Sequence, residues 1–328
     1  MESRGGMFDL GQSVPRLSMM YWSLDRRRMR FDRGTNFTMG KVELVVECRN
    51  VLGEAVLWDH DAGRLHWVDI QSRELWSLDP TNGRTAVHQA AERIACFALR
   101  RSGGLIVGFA SGFAFYDPAT GRREDIVEFE PGNPNTRLND GRTDRQGRFI
   151  AGGFDEVEGK LVSSVVRLDP NGRMTTLFEG VGCANGTCFS ADGRTMYFAD
   201  TNVATMWSFD YDPATGNLGK RTVIAGFQDQ PGLPDGSCVD AEGFVWNAQW
   251  NGHRVVRYAP DGHIDRVIEM PVLNPTCVAF GGANLDTLYI TTARYRMTTE
   301  QLAAEPASGA LFAIKPGVRG LPDVKFAG

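Results

Sequence analysis

The chain has 328 residues, with 35 Lys+Arg against 40 Asp+Glu, a net charge of -5, 42% hydrophobic and 23% charged residues. This composition suits a globular protein with a sizeable core and excludes bulk disorder; the lack of a basic excess excludes a general nucleic-acid binder. No run of 18 apolar residues occurs, so no membrane-spanning helix and no membrane partner are expected.

In chain order, residues 1–38 stand apart. They hold Met1, Met7, Met19, Met20 and Met29 and the basic stretch Arg26-Arg27-Arg28. They read as a poorly ordered N-terminal extension, or as translation from a start codon upstream of Met39. They lack the basic-then-apolar layout of a secretory signal. Cys48, Cys96, Cys183, Cys188, Cys238 and Cys277 are scattered and form no CxxC pair. Buried reduced thiols and a cytoplasmic location are therefore expected.

From about Val42 a unit recurs: a polar turn rich in Asp and Gly, an alternating apolar strand, a polar break and a second strand. Its copies begin at Trp58, Arg101, Asp144, Ser190, Asp240 and Gly282, 40 to 50 residues apart. The Asp…Gly turns supply the positive φ of tight hairpins. Segments such as Arg64-Leu65-His66-Trp67-Val68 and Thr195-Met196-Tyr197-Phe198-Ala199 are strand-like. A unit this small cannot bury its own faces, so copies must stack. The expected fold is all-β, a six-bladed β-propeller over residues 39–328; two β-sandwiches would not require six matching turns.

Propellers place functional groups at the mouth of the central channel. Glu54 lies in the otherwise apolar run Leu52-Gly53-Glu54-Ala55-Val56-Leu57-Trp58, at the entrance to the first copy. Arg137-Leu138-Asn139-Asp140-Gly141, Cys183-Ala184-Asn185-Gly186-Thr187 and Leu233-Pro234-Asp235-Gly236-Ser237 precede the third, fourth and fifth. Once the ring closes, Glu54, Asn185 and Asp235 converge on the axis. Two carboxylates and an amide oxygen suit one hard divalent cation: Ca²⁺, Mg²⁺ or Mn²⁺, with Fe²⁺ or Zn²⁺ also compatible. The bland alternative is that Asn-Gly and Asp-Gly serve only as turn residues. The five His form no HExxH, and no nucleophile elbow or phosphate-binding glycine loop is present. Most Trp residues read as blade packing, with Trp250 and Asn251 as candidate site residues.

The stretches GEAVLWD, RLNDGRTDRQGRFIAGG, NGTCFSADGRTMYFADT and GLPDGSCVDAEGFVWNAQWNGHRVVRY each fall at a fixed blade position. On them, residues 43–316 resemble the gluconolactonase/regucalcin (SMP-30-like) family, closest in look to bacterial sugar-acid lactonases. The resemblance implies hydrolysis of an aldonolactone, a small-molecule pentono- or hexonolactone, to its sugar acid. It places the metal ligands on Glu54, Asn185 and Asp235, and substrate contacts on Arg137 and Asn139. A further substrate-binding Glu in some members aligns without gaps to Val157, and Glu156 beside it is taken for that role. Asp235 is the expected general base. Three other readings stay open: a Ca²⁺-binding regulatory propeller without significant catalysis, a different hydrolase on the same fold, and a protein-interaction propeller.

Overall fold

The computed structural model describes residues 40–328, so the expected N-terminal extension lies outside the described residues. Six four-stranded antiparallel sheets follow one another along the chain. The first runs from the axis outward as Gly53–Asp59, Arg64–Asp69, Glu74–Asp79 and Arg84–Gln89. The next four repeat this order from inner strands Ile94–Leu99, Thr136–Thr143, Ala184–Phe189 and Leu233–Val239. The sixth holds Pro275–Gly281, Thr287–Thr292 and Leu311–Ile314, and its outermost strand is Glu43–Val46 from the other end of the described chain. Glu43 pairs with Ala313, Leu44 with Phe312 and Val46 with Leu311. This pairing ties the two ends together and closes the six-bladed propeller.

The Asp…Gly turns do what their composition implies. In the third blade, Asp144 Oδ1 accepts the N–H groups of Gln146 and Arg148 at 2.9 and 2.8 Å. In the fifth, Asp240 Oδ1 accepts those of Glu242 and Phe244 at 2.9 and 3.0 Å. Gly147 and Gly243 take φ of 89° and 88°, where a side chain would be strained.

The core lies between blades, not within them. Six apolar clusters form, each drawing on two neighbouring blades. Trp58 of the first blade stacks on Tyr289 of the sixth at 6.3 Å, and Trp246 of the fifth meets Phe280 of the sixth edge-on at 6.0 Å. The stacking argument from sequence therefore holds physically: a single sheet leaves both faces wet until its neighbours cover them. All six cysteines are free thiols.

Two features depart from the sequence reading. The repeat read from the turns starts one strand late, because each turn joins a blade's innermost strand to its second. The residues expected just ahead of each copy are thus the inner strands themselves. The second feature is the C-terminal segment, which has no periodicity. It crosses the channel end opposite the mouth, meeting the turns that follow the inner strands. Gly320 N–H donates to Leu285 O, Ala241 N–H to Arg319 O, Phe326 N–H to Leu99 O and Ala327 N–H to Gly147 O. Asp323 pairs with Arg142 of the third inner strand at 2.6 Å.

Candidate active site

Every inner strand carries a register shift near its start: Glu54/Leu57, Ile94/Cys96, Leu138/Gly141, Asn185/Cys188, Pro234/Ser237 and Pro275/Cys277. A bulge leaves residues unpaired and re-aims their side chains. The backbone bears this out at two of them. Ala55 and Gly186, directly after Glu54 and Asn185, take φ of 49° and 65°. At Gly236 a Cβ would lie 2.7 Å from Cys277 Sγ, so only glycine fits behind Asp235.

A cavity of about 100 Å³ opens at this end of the channel, lined by Glu54, Arg137, Asn139, Asn185 and Asp235 among others. Five of the six residues expected from sequence are therefore brought together. The sixth, Glu156, is not in the lining. Its carboxylate is held by Arg93 Nη1 at 2.9 and 2.8 Å and by Arg137 Nε at 3.1 Å. Against the cost of burial, the Arg137 and Arg93 guanidiniums hold it below the ordinary carboxylate range. In this structure Glu156 orients Arg137. Asn251 also lies outside the lining, whereas Trp250 lines the cavity.

Glu156→Ala is expected to leave two guanidiniums without their shared counter-charge and to free Arg137. Steady-state kinetics should then show KM up roughly tenfold with kcat little changed, the scale of one charged hydrogen bond. A kcat loss as large as the KM change would give Glu156 a direct part in chemistry.

Hydrogen bonding fixes which way each amide faces. Asn139 Nδ2 donates to the Ala184 carbonyl at 2.9 Å, and its Oδ1 accepts from Arg137 Nη1 at 2.7 Å. A carbonyl only accepts and a guanidinium only donates, so this orientation is determined. Asn139 thus turns an N–H towards Asn185, whose Oδ1 lies 3.4 Å away. Asn185 in turn donates through Nδ2 to Thr201 Oγ1 at 2.8 Å, leaving its oxygen for the cavity.

The carboxylates are short of partners. Among the described residues neither carboxylate has an ion pair: Glu54 has only the Ala55 N–H beside it, and Asp235 only the Gly236 N–H at 3.1 Å. Burial first, then the charges of Asp235 and Asp140, raise Glu54 well above its ordinary pKa. Burial and then Asp140 do the same to Asp235. Asp140 sits on the same bulge as Asn139 and accepts the Thr187 N–H at 2.8 Å. Two desolvated carboxylates with unspent oxygens and one amide oxygen on a common cavity form a donor set that fits a hard divalent cation. Among the described residues no three His, Cys, Asp or Glu side chains are disposed to hold a metal by themselves; beside Glu54 and Asp235 the cavity offers the Asn185 amide oxygen.

Sequence reading missed several contributors. Asp69 and Asp200 close the second strands of the first and fourth blades. Each pins the segment leading into its inner strand, through Val51 and Leu52 N–H at 2.7 and 3.1 Å, and Gly182 and Cys183 N–H at 2.8 and 3.0 Å. The signal was present as the matching WVD and FAD of two copies. Thr201, Phe154, Tyr295 and Arg296 also line the cavity; Thr201 ends the NGTCFSADGRTMYFADT stretch but has no role in the sequence reading.

A family model described as SMP-30/Gluconolactonase/LRE-like region matches residues 52–294. The chain belongs to this family. Within it, the chain is 38% identical to an L-arabinolactonase of Azospirillum brasilense over 293 residues, 88% of this chain and 96% of that one. It is 36% identical to a 6-deoxy-6-sulfogluconolactonase of Pseudomonas putida, covering 88% and 99% of the two chains. A crystal structure of a calcium-binding protein, regucalcin, from Agrobacterium tumefaciens superimposes with a TM-score of 0.85 at 31% identity, covering 88% of this chain and 98% of that one. The family thus includes proteins named for lactone hydrolysis and for calcium binding. No helix among the described residues is long and apolar enough to cross a membrane.

Proposed function

We propose that the protein is a sugar lactone lactonase that needs one divalent cation and opens an aldonolactone to its sugar acid. The observation that carries this reading is a single cavity lined both by the oxygen donors Glu54, Asn185 and Asp235 and by the hydrogen-bond donors Arg137 and Asn139. A cation held by the first three would polarise the lactone carbonyl as a Lewis acid and stabilise charge on its oxygen. Asp235 serves as general base. Its carboxylate takes a proton from the water attacking the carbonyl and returns it to the ring oxygen as the C–O bond breaks. Arg137, held by Glu156, and Asn139, held by Ala184 O, orient the hydroxyls of the sugar. Buried donors of this kind reject a ring that leaves them unpaired. The substrate class is a pentono- or hexonolactone such as L-arabinono-, D-xylono-, D-galactono- or D-gluconolactone, with relatives named for L-arabinolactone and a sulfonated gluconolactone in support.

The test is hydrolysis of these four lactones by chelator-stripped protein, followed with a pH indicator while Ca²⁺, Mg²⁺, Mn²⁺, Zn²⁺ or Fe²⁺ is added back singly. Cation-dependent turnover of at least one lactone is expected. Tight Ca²⁺ binding in calorimetry without turnover of any lactone would replace this reading by a calcium-binding regulatory propeller. That second reading draws on the likeness to a structure named as a calcium-binding protein.

A further inference from the structure

Thr201 is the first residue after the second strand of the fourth blade, and its side chain joins two blades. Its Oγ1 lies 2.7 Å from the carbonyl oxygen of Pro234, the residue before Asp235, and 2.8 Å from Asn185 Nδ2. A backbone carbonyl can only accept, so the one hydroxyl hydrogen of Thr201 is spent on Pro234. Towards Asn185 the hydroxyl can then only accept. The group facing it must be the amide NH₂, whichever way the amide is first drawn. A flipped amide would set Oδ1 against a hydroxyl oxygen with no hydrogen left to give.

Asn139 works in the same sense. Its own orientation is fixed by Ala184 O and Arg137, and it presents an N–H 3.4 Å from Asn185 Oδ1. Neighbours on two sides thus accept only one amide orientation. That orientation leaves the only oxygen of the side chain on the cavity shared with Glu54 and Asp235. The need is specific to an amide: a carboxylate offers oxygen whichever way it turns, whereas a flipped asparagine offers a cation two N–H donors.

We propose that Thr201 is a positioning residue that locks Asn185 with Oδ1 towards the divalent cation, and that it couples this orientation to the backbone carrying Asp235. The inference rests on the cation-binding reading above. Removing a partner that orients a metal ligand typically weakens metal affinity by about ten- to a hundredfold.

The experiment is calorimetric titration of Ca²⁺ and Mn²⁺ into chelator-stripped full-length protein, for wild type, Thr201→Ser, Thr201→Val and Thr201→Ala. Melting curves of the metal-free proteins run alongside. Thr201→Ser keeps the hydroxyl and should bind within about threefold of wild type; Thr201→Val and Thr201→Ala should bind at least roughly tenfold more weakly. Placed on Asn185→Asp, loss of the hydroxyl should change affinity by less than about threefold, because the carboxylate needs no orienting. Wild-type affinity in the folded hydroxyl-free variants overturns the proposal, as does equal weakening in Thr201→Ser. Absence of binding by wild type itself overturns the cation reading, and the proposal with it, before any variant is compared.

Discussion

Asp235→Asn is expected to lower kcat/KM for the preferred lactone by about three orders of magnitude or more while leaving the protein folded. Loss of a positioned general base alone accounts for about 10²- to 10⁴-fold. The substitution also removes one of the two carboxylate charges that face the cavity, which weakens the hold on the cation. The fold should survive because the amide is nearly isosteric, and its oxygen can still accept the Gly236 N–H found at 3.1 Å. Asp235 is 4% exposed and has no counter-charge among its hydrogen-bond partners, while the Glu54 and Asp140 carboxylates lie near enough to interact with it. Neutralising it relieves like-charge repulsion in a desolvated site, so the cation-free variant should melt at or above wild type. Added cation should raise the melting temperature of wild type and leave that of the variant nearly unchanged. Indicator assays and paired melting curves read both effects. Activity within tenfold of wild type would remove Asp235 from the chemistry.

How the site was legible follows from the bulges. A polar residue followed by Gly or Ala recurs at one position of the inner strands, as Glu54-Ala55, Asn185-Gly186 and Asp235-Gly236, because the bulge at that point requires an unusual backbone or a close approach. The physical demand left a local mark, and a local mark can be read from one sequence. Blade two places Ala95 at its bulge and blade six Thr276, whose hydroxyl donates to Gly53 O, so neither offers a carboxylate or amide to mark the site. Arg93 still reaches the site from the second blade, through Glu156, 63 residues away. Thr201 reaches Pro234 across 33 residues and Arg142 reaches Asp323 across 181. Such partnerships exist only once the ring has closed, and neither spacing nor periodicity encodes them. The closing strand Glu43–Val46 escaped for the same reason: its partner Leu311–Ile314 lies at the far end of the chain.

The C-terminal segment belongs to this class of unmarked features, and it carries the second large expected effect. Arg142 projects from the third inner strand into the channel, with its side chain 14% exposed and its guanidinium against Asp323, itself 16% exposed. Val324 O accepts from Thr143 Oγ1, and Pro322 O from Arg145 Nη1 at 3.1 Å. Asp323→Ala keeps Arg142 charged in a poorly solvated place without its counter-ion. Breaking a buried pair from one side costs about 3–5 kcal/mol. At about 2 °C per kcal/mol for a domain of this size, the melting temperature should fall by roughly 6–10 °C. Replacing both partners, as Arg142→Met with Asp323→Ala, should recover most of that loss, since two apolar side chains leave no charge to desolvate. The single and double variants measured together separate the two accounts of the segment. If the pair stabilises the closed end only by matching charges, the double variant melts near wild type. If the ion pair is what holds residues 318–328 across the channel, the double variant stays as unstable as Asp323→Ala, and hydrogen exchange at the Phe326 and Ala327 amides, now bonded to Leu99 O and Gly147 O, accelerates with it. Those main-chain bonds, together with the buried Phe326 ring at 0% exposure, favour the first outcome.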